Sequence, residues 1–167
     1  MKIRYFLCAV LFSMIAFTSY AQTDKGHYLI GGDLPFSAQL NNVSSVSLSP
    51  QFAYFIVDKF ALGGLIYLST RGGYTSYALG PLARYYFETG NAKLKPFGQL
   101  FLGLGGNSNN YNSSSSSGLT GNIAAGLAIF LNEHVALEPN FRVDFDSRTY
   151  VQSGTVSLNL GLQVYLP

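Results

Sequence analysis

Residues 155–166 decide the fold, and they read Thr-Val-Ser-Leu-Asn-Leu-Gly-Leu-Gln-Val-Tyr-Leu. Every second position from Val156 to Leu166 is valine or leucine, and the positions between them hold small or polar residues and Tyr165. A period of two is the spacing of a β-strand, because successive side chains point to opposite faces of a sheet. The stretch is also long enough for a tilted membrane-spanning strand, which needs about 9–11 residues.

Seven segments upstream show the same alternation, some of them less clearly. They lie at 26–36, 46–56, 60–70, 77–88, 96–106, 119–131 and 135–145. With the last segment, the chain therefore contains eight strand-length segments, and no helical periodicity stands out. For residues 22–167 we predict an all-β domain, an eight-stranded antiparallel up-and-down transmembrane β-barrel.

The connections between these segments alternate in character. Three are short and charged, at 58–59, 88–95 and 132–134, whereas four are longer and rich in Ser, Asn and Gly, at 37–45, 71–76, 106–118 and 146–154. Short turns at one end and longer loops at the other are typical of an outer-membrane barrel whose termini both lie in the periplasm. The run from Asn107 to Ser117 is the longest predicted loop.

The polar faces of the predicted strands help to distinguish a membrane barrel from a secreted lipocalin-like binding barrel, which has its apolar face inside. A face in contact with water should carry many Lys and Glu residues, but this one consists mainly of Gly, Ser, Thr, Asn, Gln and Ala. Charged residues make up only 11% of the chain, against about 25% in a typical soluble domain. We expect the apolar faces to contact lipid, and the lipocalin-like barrel is the alternative.

The first 21 residues have the layout of a secretory signal peptide. Two basic residues precede an apolar run from Tyr5 to Phe17, and Ser19-Tyr20-Ala21 follows with small residues at its first and third positions. The run is too short for a transmembrane helix, which needs about 20 residues. We expect cleavage after Ala21, which also removes Cys8, the only cysteine, and leaves equal numbers of acidic and basic residues.

Three motifs and a C-terminal pattern carry a resemblance to a known family. The motifs are Ala83-Arg84-Tyr85-Tyr86-Phe87, Leu94-Lys95-Pro96-Phe97-Gly98 and Leu102-Gly103-Leu104-Gly105. They resemble the middle hairpin of the small outer-membrane β-barrel domain family, which is similar to the transmembrane domain of outer membrane protein A. This resemblance implies the same barrel fold and a location in the outer membrane of a Gram-negative cell.

The C-terminal pattern consists of Asn159, Gly161, Val164 and Leu166. It resembles the signal that the barrel-assembly machinery reads, which implies that this machinery is a partner during biogenesis. The chain departs from the family pattern because it ends in Leu166-Pro167 and not in phenylalanine. The departure affects the register in which the machinery would read the signal.

Four charged residues fall on inward-facing positions of the predicted strands: Arg84, Glu138, Arg142 and Asp144. An eight-stranded barrel is filled by its own side chains, and buried charges must be paired. We expect these residues to form a structural ion-pair plug. The alternative is a gate, in which an arginine changes its carboxylate partner and opens a narrow path for small solutes.

No residues suggest catalysis, metal binding or a cofactor. His27 and His134 are the only histidines, and neither has a serine, an aspartate or a second histidine at a useful spacing. We expect a non-enzymatic barrel with a structural or surface-interaction role, surrounded by outer-membrane lipid, with no nucleic-acid partner. The alternatives are a narrow gated channel, the lipocalin-like barrel and an outer-leaflet lipid-modifying enzyme.

Overall fold

The computed structural model describes residues 23–35, 45–109, 115–147 and 155–167, which form a closed barrel of eight antiparallel strands. The strands are β1 (Tyr28–Pro35), β2 (Ser45–Val57), β3 (Phe60–Arg71), β4 (Tyr74–Tyr86), β5 (Leu94–Asn109), β6 (Ser115–Phe130), β7 (Val135–Asp146) and β8 (Thr155–Leu166). Each strand pairs with the next, and β1 pairs with β8 to close the sheet. The predicted fold class is therefore confirmed. Within the described ranges, no helix is long and apolar enough to cross a bilayer.

The two ends of the barrel carry different connections. At the end that we call the turn end, residues 58–59, 87–93 and 131–134 join consecutive strands. The described chain also begins and finishes at this end, with Thr23 before β1 and Pro167 after β8. The opposite end, which we call the loop end, lies where β3 meets β4 and where β5 and β7 finish.

Two predicted connections differ from the structure. Residues 71–76 were expected to form a longer loop, but Gly72 and Gly73 alone join β3 to β4. Both have positive φ angles, 53° and 83°, which is the backbone conformation of a tight hairpin whose twist matches the paired strands. The predicted loop from Asn107 to Ser117 is also shorter, since its two ends pair as extensions of β5 and β6.

Some sequence predictions concern residues that the structure does not describe. The predicted signal peptide at 1–21 lies outside the described residues, and so does part of each predicted connection at 37–45, 106–118 and 146–154, namely residues 37–44, 110–114 and 148–154.

The outer surface of the barrel is apolar. Leu79, Leu104, Phe141 and Val156 are 62–71% exposed, although each is a residue type that a water-soluble protein normally buries. The alternate positions on the same strands point inward. They carry small, polar and charged side chains in the middle of the barrel, together with a smaller number of buried aromatic and leucine side chains. The lipocalin-like alternative is therefore wrong, because its apolar face would have to line the interior.

Candidate functional site

Five buried aromatic residues meet inside the barrel near the turn end. We call them the aromatic layer: Phe55, Tyr86, Phe97, Phe130 and Tyr165. Ring centroids lie from 4.9 Å apart, between Phe130 and Tyr165, to 6.3 Å apart, between Phe55 and Tyr165, which is the range of packed aromatic pairs. The rings come from five strands, each at an inward position close to its turn-end terminus. Together they fill the lumen at this level.

The chain segment before β1 covers the turn-end opening. The backbone NH of Lys59 donates to the carbonyl of Thr23 over 2.7 Å, and the Lys95 ammonium donates to the Thr23 hydroxyl over 2.6 Å. These contacts link the β2–β3 turn to β5 through a threonine that is fully buried. The lumen is therefore closed at this end by backbone as well as by aromatic rings.

A network of polar side chains lies directly above the aromatic layer. Arg84 from β4 and Glu138 from β7 form an ion pair across the lumen, and both side chains are almost completely buried. The Tyr165 hydroxyl donates to Glu138 Oε1 over 2.8 Å, and it also hydrogen-bonds to the Tyr86 hydroxyl at 2.7 Å. The Arg84 guanidinium carbon stands 3.8 Å from the centroid of Phe97, so a cation–π contact adds to the ion pair.

A second buried ion pair joins Arg142 of β7 to Asp33 of β1. The two strands are not neighbours, because β8 lies between them in the sheet. Gly161 on β8 leaves the space for this pair, since a Cβ atom there would lie 2.5 Å from Asp33 Oδ1 and 3.3 Å from Glu138 Cβ. A larger residue at this position would therefore have to displace the Asp33 carboxylate.

The structure brings together in the interior three of the four charged residues that the alternation in the sequence predicted to face inward. Arg84, Glu138 and Arg142 are buried in the interior, whereas Asp144 is half-buried and forms no ion pair with either arginine. Asp33, and not Asp144, is the second acidic residue of the buried ion pairs, because it is the partner of Arg142. It was missed because β1 contains Gly31-Gly32, which weakens the alternation that identifies an inward position.

Amide side chains fill the lumen around the two ion pairs. The buried amides are Gln51, Gln99, Asn122, Asn140, Asn159 and Gln163. Asn159 donates to Asn140 over 3.4 Å, but both amide atoms of Gln51 and of Gln163 lack a hydrogen-bonding partner in the described part of the chain. Buried polar atoms of this kind are usually satisfied by water. The middle of the barrel is thus polar and crowded with side chains.

A cavity of about 280 Å³ lies between the two buried ion pairs and the loop end. Asp144 and Asp146 line it from β7, Asn107 from β5, and Thr120 and Asn122 from β6. The other described lining residues are Tyr67 of β3, Ser76 and Ala78 of β4, Phe101 of β5, Phe145 of β7 and Thr155 of β8. We call this space the loop-end cavity.

The four residues of the C-terminal pattern lie on both faces of β8. Asn159 and Gly161 are buried in the lumen, whereas Leu166 is exposed on the outer surface and Val164 is half-buried. The two inward residues therefore belong to the same polar interior as the ion pairs. Their role in recognition by the barrel-assembly machinery stays a prediction.

Both histidines lie at the turn end and contact backbone. His27 Nδ1 is 3.0 Å from the Asp24 carbonyl oxygen, and His134 Nδ1 is 3.0 Å from the Tyr165 carbonyl oxygen. Across the described ranges, no three His, Cys, Asp or Glu side chains are grouped so that they could hold a metal ion.

Comparisons with known proteins add information on the fold. Neither protein-family models nor curated protein sequences match the chain, but solved structures do. The N-terminal β-barrel domain of Pseudomonas aeruginosa OprF matches with a TM-score of 0.65 at 17% identity, over 87% of this chain and 100% of that one. Neisserial surface protein A matches with a TM-score of 0.59 at 15% identity, over 84% and 93% of the two chains.

A third match is the outer membrane protein OprG from Pseudomonas aeruginosa, with a TM-score of 0.54 at 14% identity, over 89% of this chain and 99% of that one. Identities this low establish shared architecture and not shared activity. The chain therefore has the fold of the small eight-stranded outer-membrane β-barrels, as its resemblance to the transmembrane domain of outer membrane protein A predicted.

Proposed function

We propose that this chain is a closed, non-conducting barrel of the outer membrane that acts through its loop-end surface and has no catalytic activity. The observation that carries this proposal is the double closure of the lumen. The aromatic layer and the Thr23 segment close the turn end, and two buried ion pairs fill the middle. A solute that crossed the barrel would have to displace all of these groups.

The outer surface supports the membrane location. Its exposed leucine, valine, isoleucine and phenylalanine side chains suit a lipid environment, and a closed sheet leaves no strand edge unpaired in hydrocarbon. In the proposed orientation the turn end and both chain termini face the periplasm, so that the loop end faces the outside. The barrel-assembly machinery is the proposed partner for insertion.

The positions of the histidines support a role without catalysis. Both lie at the turn end, away from the loop-end cavity, and each ring contacts a backbone carbonyl. A lipid-modifying enzyme of the outer leaflet would need its general base at the opposite end of the barrel in the proposed orientation. The surface-interaction role therefore accounts better for the arrangement.

Conductance across a planar lipid bilayer tests the closed lumen. We expect the refolded wild-type barrel to give no current steps, under conditions in which an added general porin gives clear steps. Insertion should be checked on the same preparation by resistance of the barrel to added protease. Reproducible steps from the wild-type protein would contradict the proposal.

A gated channel is the second candidate, and one feature favours it. Arg142 is paired with Asp33, but Asp144 lies two positions away on the same inward face of β7. A change of partner would move the guanidinium towards the loop end. Glu138→Ala and Arg142→Ala barrels test this idea in the same bilayers, since a gate predicts that at least one of them conducts. If both variants insert and stay silent, the gate is rejected.

A further inference from the structure

We propose that the loop-end cavity binds one ring of a neutral carbohydrate, either a free monosaccharide or the terminal sugar of a glycan. This inference rests on the proposed function, because it names a class of ligand for the loop-end surface. It starts from four lining residues on consecutive strands, each paired with the next in the register of the sheet: Phe101 of β5, Asn122 of β6, Asp144 of β7 and Thr155 of β8. We call these four residues the lining row.

The lining row places an aromatic ring beside an amide, a carboxylate and a hydroxyl. A sugar hydroxyl donates and accepts hydrogen bonds, so the hydroxyls of one sugar ring can pair with all three kinds of group. Ser76 and Thr120 add two further hydroxyls to the walls. An entirely apolar ligand would leave these polar groups without partners, which is unfavourable.

The Phe101 ring supplies the apolar surface that a sugar ring needs. Its tip covers the backbone of Gly103, since a Cβ atom at that glycine would lie only 2.6 Å from Phe101 Cζ. A ring that rests on backbone on one side presents its other face to the lumen. The C–H groups on one face of a sugar are slightly positive and pack against the negative face of an aromatic ring. Tyr67 of β3 adds a second ring to the lining.

Asn122 is the member of the lining row that most clearly lacks a partner. Its side chain is only 5% exposed, and its Oδ1 atom has no hydrogen-bonding partner in the described part of the chain. Rotation of the amide presents either its oxygen or its nitrogen to the cavity, and a hydroxyl can pair with both. A bound sugar would therefore satisfy this amide in either orientation.

The charges near the cavity favour a neutral ligand over a charged one. Arg142 attracts the Asp144 carboxylate electrostatically, and Asp146 also has an interaction of its own. Neither carboxylate therefore depends on a cation from outside. The described lining contains no lysine, arginine or histidine that could hold an anion. The volume of about 280 Å³ lies at the lower limit of ordinary ligand pockets, so it suits one sugar ring better than an oligosaccharide.

An NMR titration of the isotope-labelled, refolded full-length barrel tests the inference in lauryl dimethylamine oxide, a detergent without a sugar headgroup. The probes are the methyl β-glycosides of glucose, galactose, mannose and N-acetylglucosamine. The comparison compound is tetrahydropyranyl methanol, which keeps the ring but has a single hydroxyl. We expect at least one glycoside to shift the side-chain amide signals of Asn122 in a saturable manner and to bind at least tenfold more tightly than the comparison compound. High salt should leave this binding unchanged, because the ligand is uncharged.

Two variants remove the two parts of the site separately. Phe101→Leu removes the aromatic face and Asn122→Leu removes the amide, and each should weaken binding of the responding glycoside at least tenfold. Binding to the variants is followed by saturation transfer from the barrel to the sugar protons. Asn91→Leu makes the same amide-to-leucine change at an exposed position of the turn end and should leave binding unchanged. Each variant is first checked for the compact, unboiled band on a detergent gel, so that loss of binding is not confused with loss of the fold.

A disaccharide with the responding sugar at its non-reducing end separates the two sources of the ligand. Binding as tight as that of the methyl glycoside would assign the site to the end of a glycan, and binding at least tenfold weaker would assign it to a free monosaccharide. Both results support the inference. No shift of the Asn122 amide with any of the four glycosides, equal binding of the comparison compound, or binding that survives Asn122→Leu would overturn it.

The result is independent of conductance. A barrel that is silent in bilayers and binds no sugar would leave the proposed function intact and remove only this inference. A barrel that conducts would contradict the proposed function whatever the glycosides do.

Discussion

At the scale of single residues, Glu138 is the centre of the interior. It accepts hydrogen bonds from Arg84 and from Tyr165, and its side chain is fully buried. Its removal would leave a buried guanidinium without a carboxylate and a tyrosine hydroxyl without its acceptor. Breaking a buried ion pair by deleting one partner usually costs about 3–5 kcal/mol.

We therefore expect Glu138→Ala to lower the free energy of unfolding by about 3–5 kcal/mol. The measurement is urea unfolding of the barrel in lipid vesicles, followed by tyrosine fluorescence and by the fraction of compact band on a gel. Glu88→Ala is the matched control, because Glu88 is an exposed carboxylate paired with Lys59. An exposed pair contributes far less to stability than a buried one, so this loss should be much smaller. Equal stabilities for wild type and Glu138→Ala would show that the ion pair does not hold the interior together.

The exposed pair at the turn end gives a separate prediction on ionisation. The Lys59 ammonium lies 2.5 Å from Glu88 Oε1, and its hydrogen bond and charge lower the pKa of the Glu88 carboxyl below its ordinary value. The same contact raises the pKa of Lys59. A lowered carboxyl pKa means that the contribution of the pair to stability is present above the ordinary glutamate pKa and is lost as the pH falls through the lowered value.

Carbon NMR of the labelled Glu88 carboxyl during an acid titration measures this shift directly. We expect the pKa of Glu88 to return upward to the ordinary range in a Lys59→Met barrel. High salt should produce the same trend in the wild type, because exposed pairs are screened. A wild-type titration curve that matches that of Lys59→Met would contradict the assigned contact.

At the scale of elements, the alternation in the sequence was sufficient to predict all eight strands. The alternation along β7 and β8 also predicted that Glu138, Arg142 and Asn159 face the interior of the barrel, without any tertiary information. The convergence of side chains from distant strands could not be predicted in this way. Alternation gives the face of the sheet on which a side chain lies. Its level along the barrel axis, and therefore which side chains of other strands it contacts, depends on the stagger of the closed barrel.

The aromatic layer shows this limit clearly. Its five rings lie on five strands spread over more than a hundred positions of the chain. Each ring sits close to the turn-end terminus of its strand, so counting inward positions from each turn would have indicated a common level. The pairing of Asp33 with Arg142 had no comparable signal, because it spans the seam between β1 and β8.

The β3–β4 hairpin gives a prediction for a single element. Gly72 and Gly73 adopt left-handed backbone conformations, which cost other residues roughly 1–2 kcal/mol each, with asparagine among the most tolerant. We expect Gly72→Val to lower the free energy of unfolding by about 1–2 kcal/mol and Gly72→Asn to have a much smaller effect. The same urea unfolding assay measures both variants. Equal losses in the free energy of unfolding would show that side-chain size, and not the left-handed backbone conformation, determines the loss of stability.

At the scale of the whole molecule, the closed sheet and the apolar outer surface predict how the protein behaves in detergent. A barrel without a free strand edge resists unfolding by dodecyl sulfate until it is heated. We expect the protein in purified outer membranes to migrate faster before boiling than after it. One band at the same position in both samples, recovered from the soluble periplasmic fraction, would contradict both the closed barrel and the membrane location.

The ion pair between Asp33 and Arg142 also has a consequence for the order of assembly. Asp33 belongs to the first strand and Arg142 to the seventh, so the two side chains meet only when β1 docks against β8. An inserting sheet that has not yet joined its two edges would hold Arg142 in a polar lumen without its carboxylate. Closure of the sheet between β1 and β8 is thus the step that brings Arg142 its Asp33 carboxylate, so this ion pair can form only in the completed barrel.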